Sequence, residues 1–355
     1  MVFKGTRDYS KKSKINLPPH GRGVYIFGEA ADKGFIPMSA DKKSITVFGG
    51  TGFLGRHIIW QLAKTGATIR VATRVKQRAG FLRPAGDVGQ IIPLACDIHS
   101  DASVAAALDG ATHAINLVGI LAEKGKSTFE RMHVEVAERI ARAAQGEDLE
   151  MLVHVSALGA SSDGLSRYAR TKAAGESKII HGFSRSVVLR PSVVFGPEDR
   201  FFNLFATLAQ TGGCLPLIGG GKTRLQPVYV GDIAKAVLNI FSSSSPSKYF
   251  GNIYELGGPQ VYTMREILEL TQKFSKRPAS LYNLPFAAAT LVSLLPLVPL
   301  TRDQVNSLRQ DSVVETNSPG FAALGIEPTG VEAVLPTYLR QYWPGGTFGE
   351  KTQAS

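Results

Sequence analysis

The stretch SITVFGGTGFLGRHIIWQLAKTG, from Ser44 to Gly66, constrains the fold more than any other part of the chain. A short β-type run (Ile45, Val47, Phe48) meets a glycine-rich turn, and apolar residues at helical spacing (Phe53, Leu54, Ile58, Ile59, Leu62) follow at once. Gly66 is placed as the helix C-cap. Gly50, Gly52 and Gly55 satisfy G-x-G-x-x-G, and Gly49, Gly52 and Gly55 satisfy the variant G-x-x-G-x-x-G. Glycines early in such a turn let a pyrophosphate approach bare backbone, and the third lets the helix pack close to the strand. The free N–H groups at the helix start then receive the anion. A strand before the glycines and a helix after them is the context this mechanism requires. The expected ligand is therefore a dinucleotide, held by Gly49, Gly50, Thr51, Gly52, Phe53, Leu54 and Gly55.

Downstream, strand-like and helix-like patterns alternate. TIRVAT (Thr68–Thr73), IIPLACDI ending at Asp97 and Ile98, HAINLVG (His113–Gly119) and MLVHVSA (Met151–Ala157) read as strands two to five. Helices are expected over Ser103–Leu108, over Phe129–Ala144 and around Tyr168 and Lys172. SVVLRPSVVFGP (Ser186–Pro197) reads as a sixth strand that leaves the sheet, and LQPVYVGDIAKAVLNIF (Leu225–Phe241) as a strand entering a helix. NIYELGG is strand-like, and TMREILELTQKF is a helix with Thr263 and Glu266 in capping-box positions. Strands spaced by helices of this length imply an α/β fold. The expectation is a doubly wound parallel Rossmann sheet with a smaller C-terminal α/β substrate-type domain. The expected division is a basic extension at 1–43, a dinucleotide-binding domain with interleaved substrate-domain segments at 44–250, a smaller domain at 251–343 and a tail at 344–355.

The residue about 20 positions past the glycine turn selects the cofactor, and an acid there would bind the ribose 2′-hydroxyl of NAD. This chain has Arg74, followed by Lys76 and Arg78, with no acid nearby. A cation at a strand tip suits a 2′-phosphate, so NADP(H) is expected over NAD(H). Asp97 and Ile98 would flank the adenine. The run from Asn116 through Leu117, Val118 and Gly119 would lie beneath the cofactor, because ligands collect at the carboxyl ends of such strands.

Tyr168 and Lys172 form Y-x-x-x-K, which puts both on one helix face. An ammonium beside a phenol stabilises the phenolate and lets tyrosine act as acid or base toward a carbonyl or alcohol. Ser156, after the fifth strand, is the hydroxyl available to orient that oxygen. In the structural alternative, Lys172 holds the nicotinamide ribose and Tyr168 packs against it.

TVFGGTGFLG, the Tyr168/Lys172 pair, LRPSVVFGP and PVYVGDIA resemble the extended or atypical short-chain dehydrogenases/reductases. PHGRG, GRHIIWQL, FGPEDRFFNLF (Phe195–Phe205), LQPVYVGDIAKAV and LPLVPLTRDQVNSLRQDSVV (Leu295–Val314) are most similar to the family of NADPH-binding accessory subunits of respiratory complex I. That resemblance runs from about Pro18 to Trp343. It implies a subunit on the matrix side of the inner mitochondrial membrane, among other complex I subunits, or on the cytoplasmic membrane side in a bacterium. It assigns the pyrophosphate loop to Gly49, Gly52, Phe53 and Leu54, the 2′-phosphate contact to Arg74 and the adenine pocket to Asp97. Tyr168 and Lys172 match the nicotinamide-side pair, and Pro191 lies in the segment lining that end. Only Ala157 to Arg167 separates the serine from the tyrosine, a shorter loop than active relatives carry. The implied role is a retained cofactor without turnover. The alternative is a free NADP-dependent reductase or epimerase using Tyr168, Lys172 and Ser156.

The remaining features bound the partners. A formal charge of +11 favours an anionic partner, whether an acidic protein, an anionic membrane surface or nucleic acid, or else reads as a basic surface in a basic organelle. No aromatic-interleaved basic motif supports nucleic acid. Cys96 and Cys214 lie far apart and fit a reducing compartment. His57, His113, His133, His154 and His181 have no metal-ligand spacing, so no metal is expected. IGGGKT (Ile218–Thr223) lacks the first glycine of a P-loop and reads as a loop. The first fourteen residues are basic, with Asp8 as the one acid, which suits part of a transit sequence or a docking arm. No stretch is long enough to span a bilayer. Leu281–Leu300 is apolar but broken by Pro285, Pro296 and Pro299. It reads either as a buried helical hairpin or as a surface for anionic lipid or a membrane subunit.

Overall fold

Five residues after Lys43 carry the first strand, β1 (Ser44–Phe48), whose last four side chains are all buried. Burial on both faces is the condition of a strand inside a parallel sheet. The strands that join it are β2 (Thr68–Thr73), β3 (Ile91–Ala95), β4 (His113–Asn116), β5 (Met151–Val155), β6 (Ser186–Pro191) and an outer strand Ile253–Leu256. Their order is Ile253–Leu256, β6, β5, β4, β1, β2, β3, with every pairing parallel. The order reverses beside β1, which creates a crevice at the carboxyl ends of β1 and β4. The computed structural model describes residues 43–295 and 300–346. The basic extension at 1–42 and the tail from 347 therefore lie outside the described residues.

Helices cover both sheet faces. On one face, α1 (Phe53–Ala63) buries Ile58, Ile59 and Leu62 in a cluster shared with Ile233, Val237 and Ile240 of a later helix, Val230–Phe241. On the other, α2 (Asp101–Leu108), α3 (Val136–Gly146) and α4 (Arg167–Gly182) enclose Phe48, Val104, Ile140 and Ile179. This is the doubly wound α/β sheet expected from the alternation.

The boundaries differ in instructive ways. Lys64 caps α1, and Gly66 takes its left-handed backbone (φ +77) in the turn beyond. Strand β4 stops at Asn116, because the Asn116 side-chain oxygen accepts the Val118 N–H at 3.0 Å and turns the chain out of the sheet. The third helix opens as a wide π-helical turn, Glu130–Glu135, before α3. Strand β6 stays in the sheet rather than leaving it and stops at Pro191; Val194–Phe195 then forms a separate strand against Val228–Tyr229. The expected boundary at 250 falls before Ile253–Leu256, so the sheet extends past it.

The C-terminal part is built from small pairs. Leu215–Ile218 lies parallel to Leu281–Leu284, and Arg224–Leu225 antiparallel to Tyr262–Thr263. The helix Met264–Ser275 carries the Thr263/Glu266 capping box. Gly219–Gly221 make a single tight turn, in keeping with a plain loop.

The described part of the apolar segment does not form a buried helical hairpin. Its first residues, Leu281–Leu284, form a strand, Pro285 sits at the N-cap, and Phe286–Val292 is one short helix. Only Ala289 of that helix is fully buried, while Leu291, Leu294 and Leu295 are 68%, 67% and 57% exposed. Residues 296–299 lie outside the described residues. Among the described residues, no helix is long and apolar enough to cross a membrane.

Candidate functional site

Parallel strands share one carboxyl edge, and the candidate residues gather there. Gly49 to Gly55 follow β1, Arg74 follows β2, Asp97 and Ile98 follow β3, Leu117 to Gly119 follow β4, Ser156 follows β5 and Pro191 ends β6.

The glycines are required by geometry. Gly49 has φ +79, and a Cβ there would lie 3.0 Å from the Leu117 carbonyl carbon. A Cβ on Gly55 would lie 2.6 Å from the Gly50 Cα, so only glycine lets α1 begin this close to the turn. Gly52 is the N-cap of α1; it provides no side-chain cap, and the first turn contains no acid. Orphan N–H groups at an uncapped helix start are the groups that hold a pyrophosphate. The residues present thus fit a dinucleotide.

Arg74 is exposed and has no hydrogen bond or ion pair among the described residues. Lys76 and Arg78 beside it are also exposed. Asp97 is exposed, and its carboxylate accepts the His99 N–H at 3.0 Å, which holds the turn after β3. Ile98 packs against the core beneath α2.

At the other end of the crevice, α4 brings Tyr168 and Lys172 to the tips of β4 and β5. The Lys172 ammonium donates to the Val155 carbonyl oxygen at 2.9 Å. It lies close enough to Gly119 that a Cβ there would be 3.9 Å from Nζ. Burial lowers its pKa to about 8, with the Glu176 carboxylate pulling the other way. Ser156 is buried, its N–H donates to Leu189 at 2.7 Å, and its hydroxyl has no hydrogen-bond partner. A buried unpaired hydroxyl at the carboxyl edge of the sheet is a place for a ligand atom.

The pairing expected to acidify the phenol is outweighed. The Tyr168 ring lies edge-on to Phe129 and His133, at 5.9 and 5.4 Å between centroids. Burial around its oxygen pushes the phenol up to about 12, so desolvation exceeds any help from Lys172.

Several residues around the site escaped the motif reading. His133, carried inward by the wide turn, accepts the Ile120 N–H at Nε2 (3.1 Å) and faces the Thr171 hydroxyl at Nδ1 (3.0 Å). Accepting at Nε2 puts the proton on Nδ1. Burial first, and then Lys172, lower its pKa to about 3, and burial holds His154 well below the ordinary value. Both rings are neutral near pH 7, so Lys172 carries the positive charge of this cluster. Glu198 binds Arg56 (3.1 Å) and His57 (2.9 Å) on the first turns of α1. Asp303 accepts the N–H groups of Arg167 (2.7 Å) and Tyr168 (3.1 Å) at the start of α4. The Glu198 and Asp303 contacts join positions more than a hundred residues apart, and no local pattern announces them. Among the described residues, no group of three or more His, Cys, Asp or Glu could hold a metal.

Known proteins share this fold. Residues 45–257 match the family described as "NAD dependent epimerase/dehydratase family". The chain is 35% identical over 321 residues to the Arabidopsis thaliana protein "NADH dehydrogenase [ubiquinone] 1 alpha subcomplex subunit 9, mitochondrial", covering 86% of this chain and 79% of that one. A Mus musculus protein of the same description is 32% identical over 331 residues, covering 91% and 84%. Among solved structures, the dTDP-glucose 4,6-dehydratase DesIV from Streptomyces venezuelae, with NAD and TYD bound, superposes with a TM-score of 0.64. It is 21% identical, and the match covers 84% of this chain and 96% of that one, a likeness of fold.

Proposed function

The chain belongs to the NAD dependent epimerase/dehydratase family, and from that premise we propose that it is an accessory subunit of mitochondrial respiratory complex I that retains NADPH as a structural ligand. The observation that carries the subunit role is sequence identity of 35% and 32%, along most of the chain, to mitochondrial NADH dehydrogenase subunits. Other subunits of that complex are then its partners, and the matrix face of the inner membrane is its place. The exposed leucines at 291, 294 and 295, with no membrane-crossing helix among the described residues, favour peripheral attachment. On this reading the dinucleotide unit runs from 44 through the outer strand Ile253–Leu256, with the smaller unit after it.

NADP(H) rather than NAD(H) rests on Arg74, exposed and without a partner among the described residues, with Lys76 and Arg78 close behind. Gly49 to Gly55 would hold the pyrophosphate, Asp97 and Ile98 the adenine, and Leu117, Val118, Gly119 and Pro191 the nicotinamide end. When bound, the cofactor supplies a hydride. Lys172, fixed on the Val155 carbonyl, would hold the nicotinamide ribose. A phenol pushed up to about 12 is a poor base at neutral pH, which favours retention over turnover.

A second reading, a free NADP-dependent reductase or epimerase, is favoured by one observation: the unpaired Ser156 hydroxyl. Native gels and membrane fractionation separate the two. Migration with a large membrane assembly supports the subunit. A soluble small oligomer that oxidises NADPH with a carbonyl compound contradicts it.

A further inference from the structure

We propose that a cleft between the start of α4 and the helix Arg302–Ser307 binds the phosphate headgroup of an anionic lipid. The cleft has a volume of about 450 Å³ and lies outside the dinucleotide crevice: Gly119, Ser156, Lys172 and Pro191 do not line it. Arg167, Arg170 and Arg302 face it, together with the apolar groups of Ala122, Phe129 and Leu165.

Charge accounting decides the sign of the ligand. Two carboxylates, Glu123 and Asp303, also line the cleft, and both hold hydrogen bonds within the fold. Glu123 accepts the Phe129 N–H at 2.8 Å and an Arg167 guanidinium N–H at 2.9 Å. Asp303 spends both oxygens on the backbone of Arg167 and Tyr168. Arg302 is exposed and has no hydrogen bond or ion pair among the described residues. Arg170 donates one bond, to the Gly164 carbonyl at 2.6 Å. Three guanidinium groups against two carboxylates leave the cleft with a net positive charge, and its unspent guanidinium donors suit a phosphate oxygen, since the planar fork of arginine matches that geometry.

The neighbouring helix identifies the source of the phosphate. Ala289 of Phe286–Val292 and Val305 of Arg302–Ser307 are buried in one cluster, so the two short helices pack together. Arg302, Asp303 and Asn306 thus face the cleft from a helix whose neighbour leads into the exposed Leu291, Leu294 and Leu295. A cationic cleft one helix away from an exposed apolar segment matches an amphiphile with an anionic head. A free phosphate ester would satisfy the arginines and leave the leucines uncovered.

This inference rests on the peripheral-membrane reading, and the test keeps the two apart. The full chain is floated with vesicles of phosphatidylcholine, alone or mixed with phosphatidylglycerol, at fixed ionic strength. The wild type gains binding from phosphatidylglycerol. Arg302→Glu combined with Arg170→Gln removes two cations near a charged surface and should cut that gain about thirtyfold. Asn306→Trp, which fills the cleft without changing charge, should give a comparable loss. Lys64→Glu, at the far end of α1 from the glycine turn, should leave most of the gain. Equal losses in the Arg302/Arg170 and Lys64 variants would overturn the cleft, leaving only diffuse attraction. Calorimetric binding of soluble glycerol phosphate as tight as binding to vesicles would overturn the lipid source. Equal wild-type binding to neutral and anionic vesicles would overturn the headgroup and spare the membrane reading. Binding to neither would overturn both.

Discussion

The Lys172 ammonium donates to the Val155 carbonyl at 2.9 Å, one residue before the unpaired Ser156 hydroxyl. That bond holds a buried cation at the tip of β5, where the nicotinamide end of a dinucleotide would lie. Lys172→Met removes the charge and leaves the Val155 oxygen without its donor. A charge-assisted hydrogen bond contributes about 1.5–3 kcal/mol, so NADPH affinity should fall about tenfold or more. Titration of the folded variant by tryptophan fluorescence measures this; unchanged affinity would remove Lys172 from the site.

Arg74→Glu tests cofactor choice. NADPH binding should weaken by about tenfold or more, through loss of a charge-assisted bond and introduction of a repelling carboxylate, while NADH binding is spared. Equal loss of both in parallel calorimetric titrations would refute the 2′-phosphate contact.

Gly55→Ala tests the close approach of α1 to the turn. The added methyl would lie 2.6 Å from the Gly50 backbone, which cannot swing away as a side chain could. Overpacking of this kind costs about 1–3 kcal/mol, so the thermal midpoint of the ligand-free chain should drop by several degrees. An unchanged midpoint would show that the turn has room.

Acid sensitivity follows from His133. Its pKa is about 3 in the folded chain and 6.5 in the reference state, so between those values the unfolded chain binds the extra proton. Its contribution to stability is therefore complete above pH 6.5 and declines as pH falls toward 3, by up to about 1.4 kcal/mol per pH unit. His113 and His154, also lowered by burial, act in the same direction. Denaturant unfolding across that range should give a shallower acid limb for His133→Gln. Parallel limbs would mean that His133 titrates normally.

Much of this architecture was legible because its causes are local. The spacing of Gly49, Gly52 and Gly55, Arg74 at a strand tip and the Thr263/Glu266 box each depend on neighbours a few residues away. For Tyr168, spacing reveals the cation four residues on but not the burial, which comes with Phe129 and the wide turn Glu130–Glu135. Leu281–Leu300 stays open between a covered and an exposed reading for a related reason. Apolar content is the same whether a segment is covered or exposed, and the pairing of Leu281–Leu284 with Leu215–Ile218 is non-local. Glu198 on Arg56 and Asp303 on Tyr168 belong to the same class.

The central claim is that a dinucleotide-binding fold serves as a fixed part of a membrane complex. Native mass spectrometry of the protein purified from its own membranes tests it most directly, because one spectrum reports companions and bound nucleotide together. The chain should be released from a multisubunit NADH dehydrogenase assembly, with a mass excess corresponding to one NADPH. A chain found free of other subunits, carrying no nucleotide or exchanging it rapidly during carbonyl reduction, would contradict it.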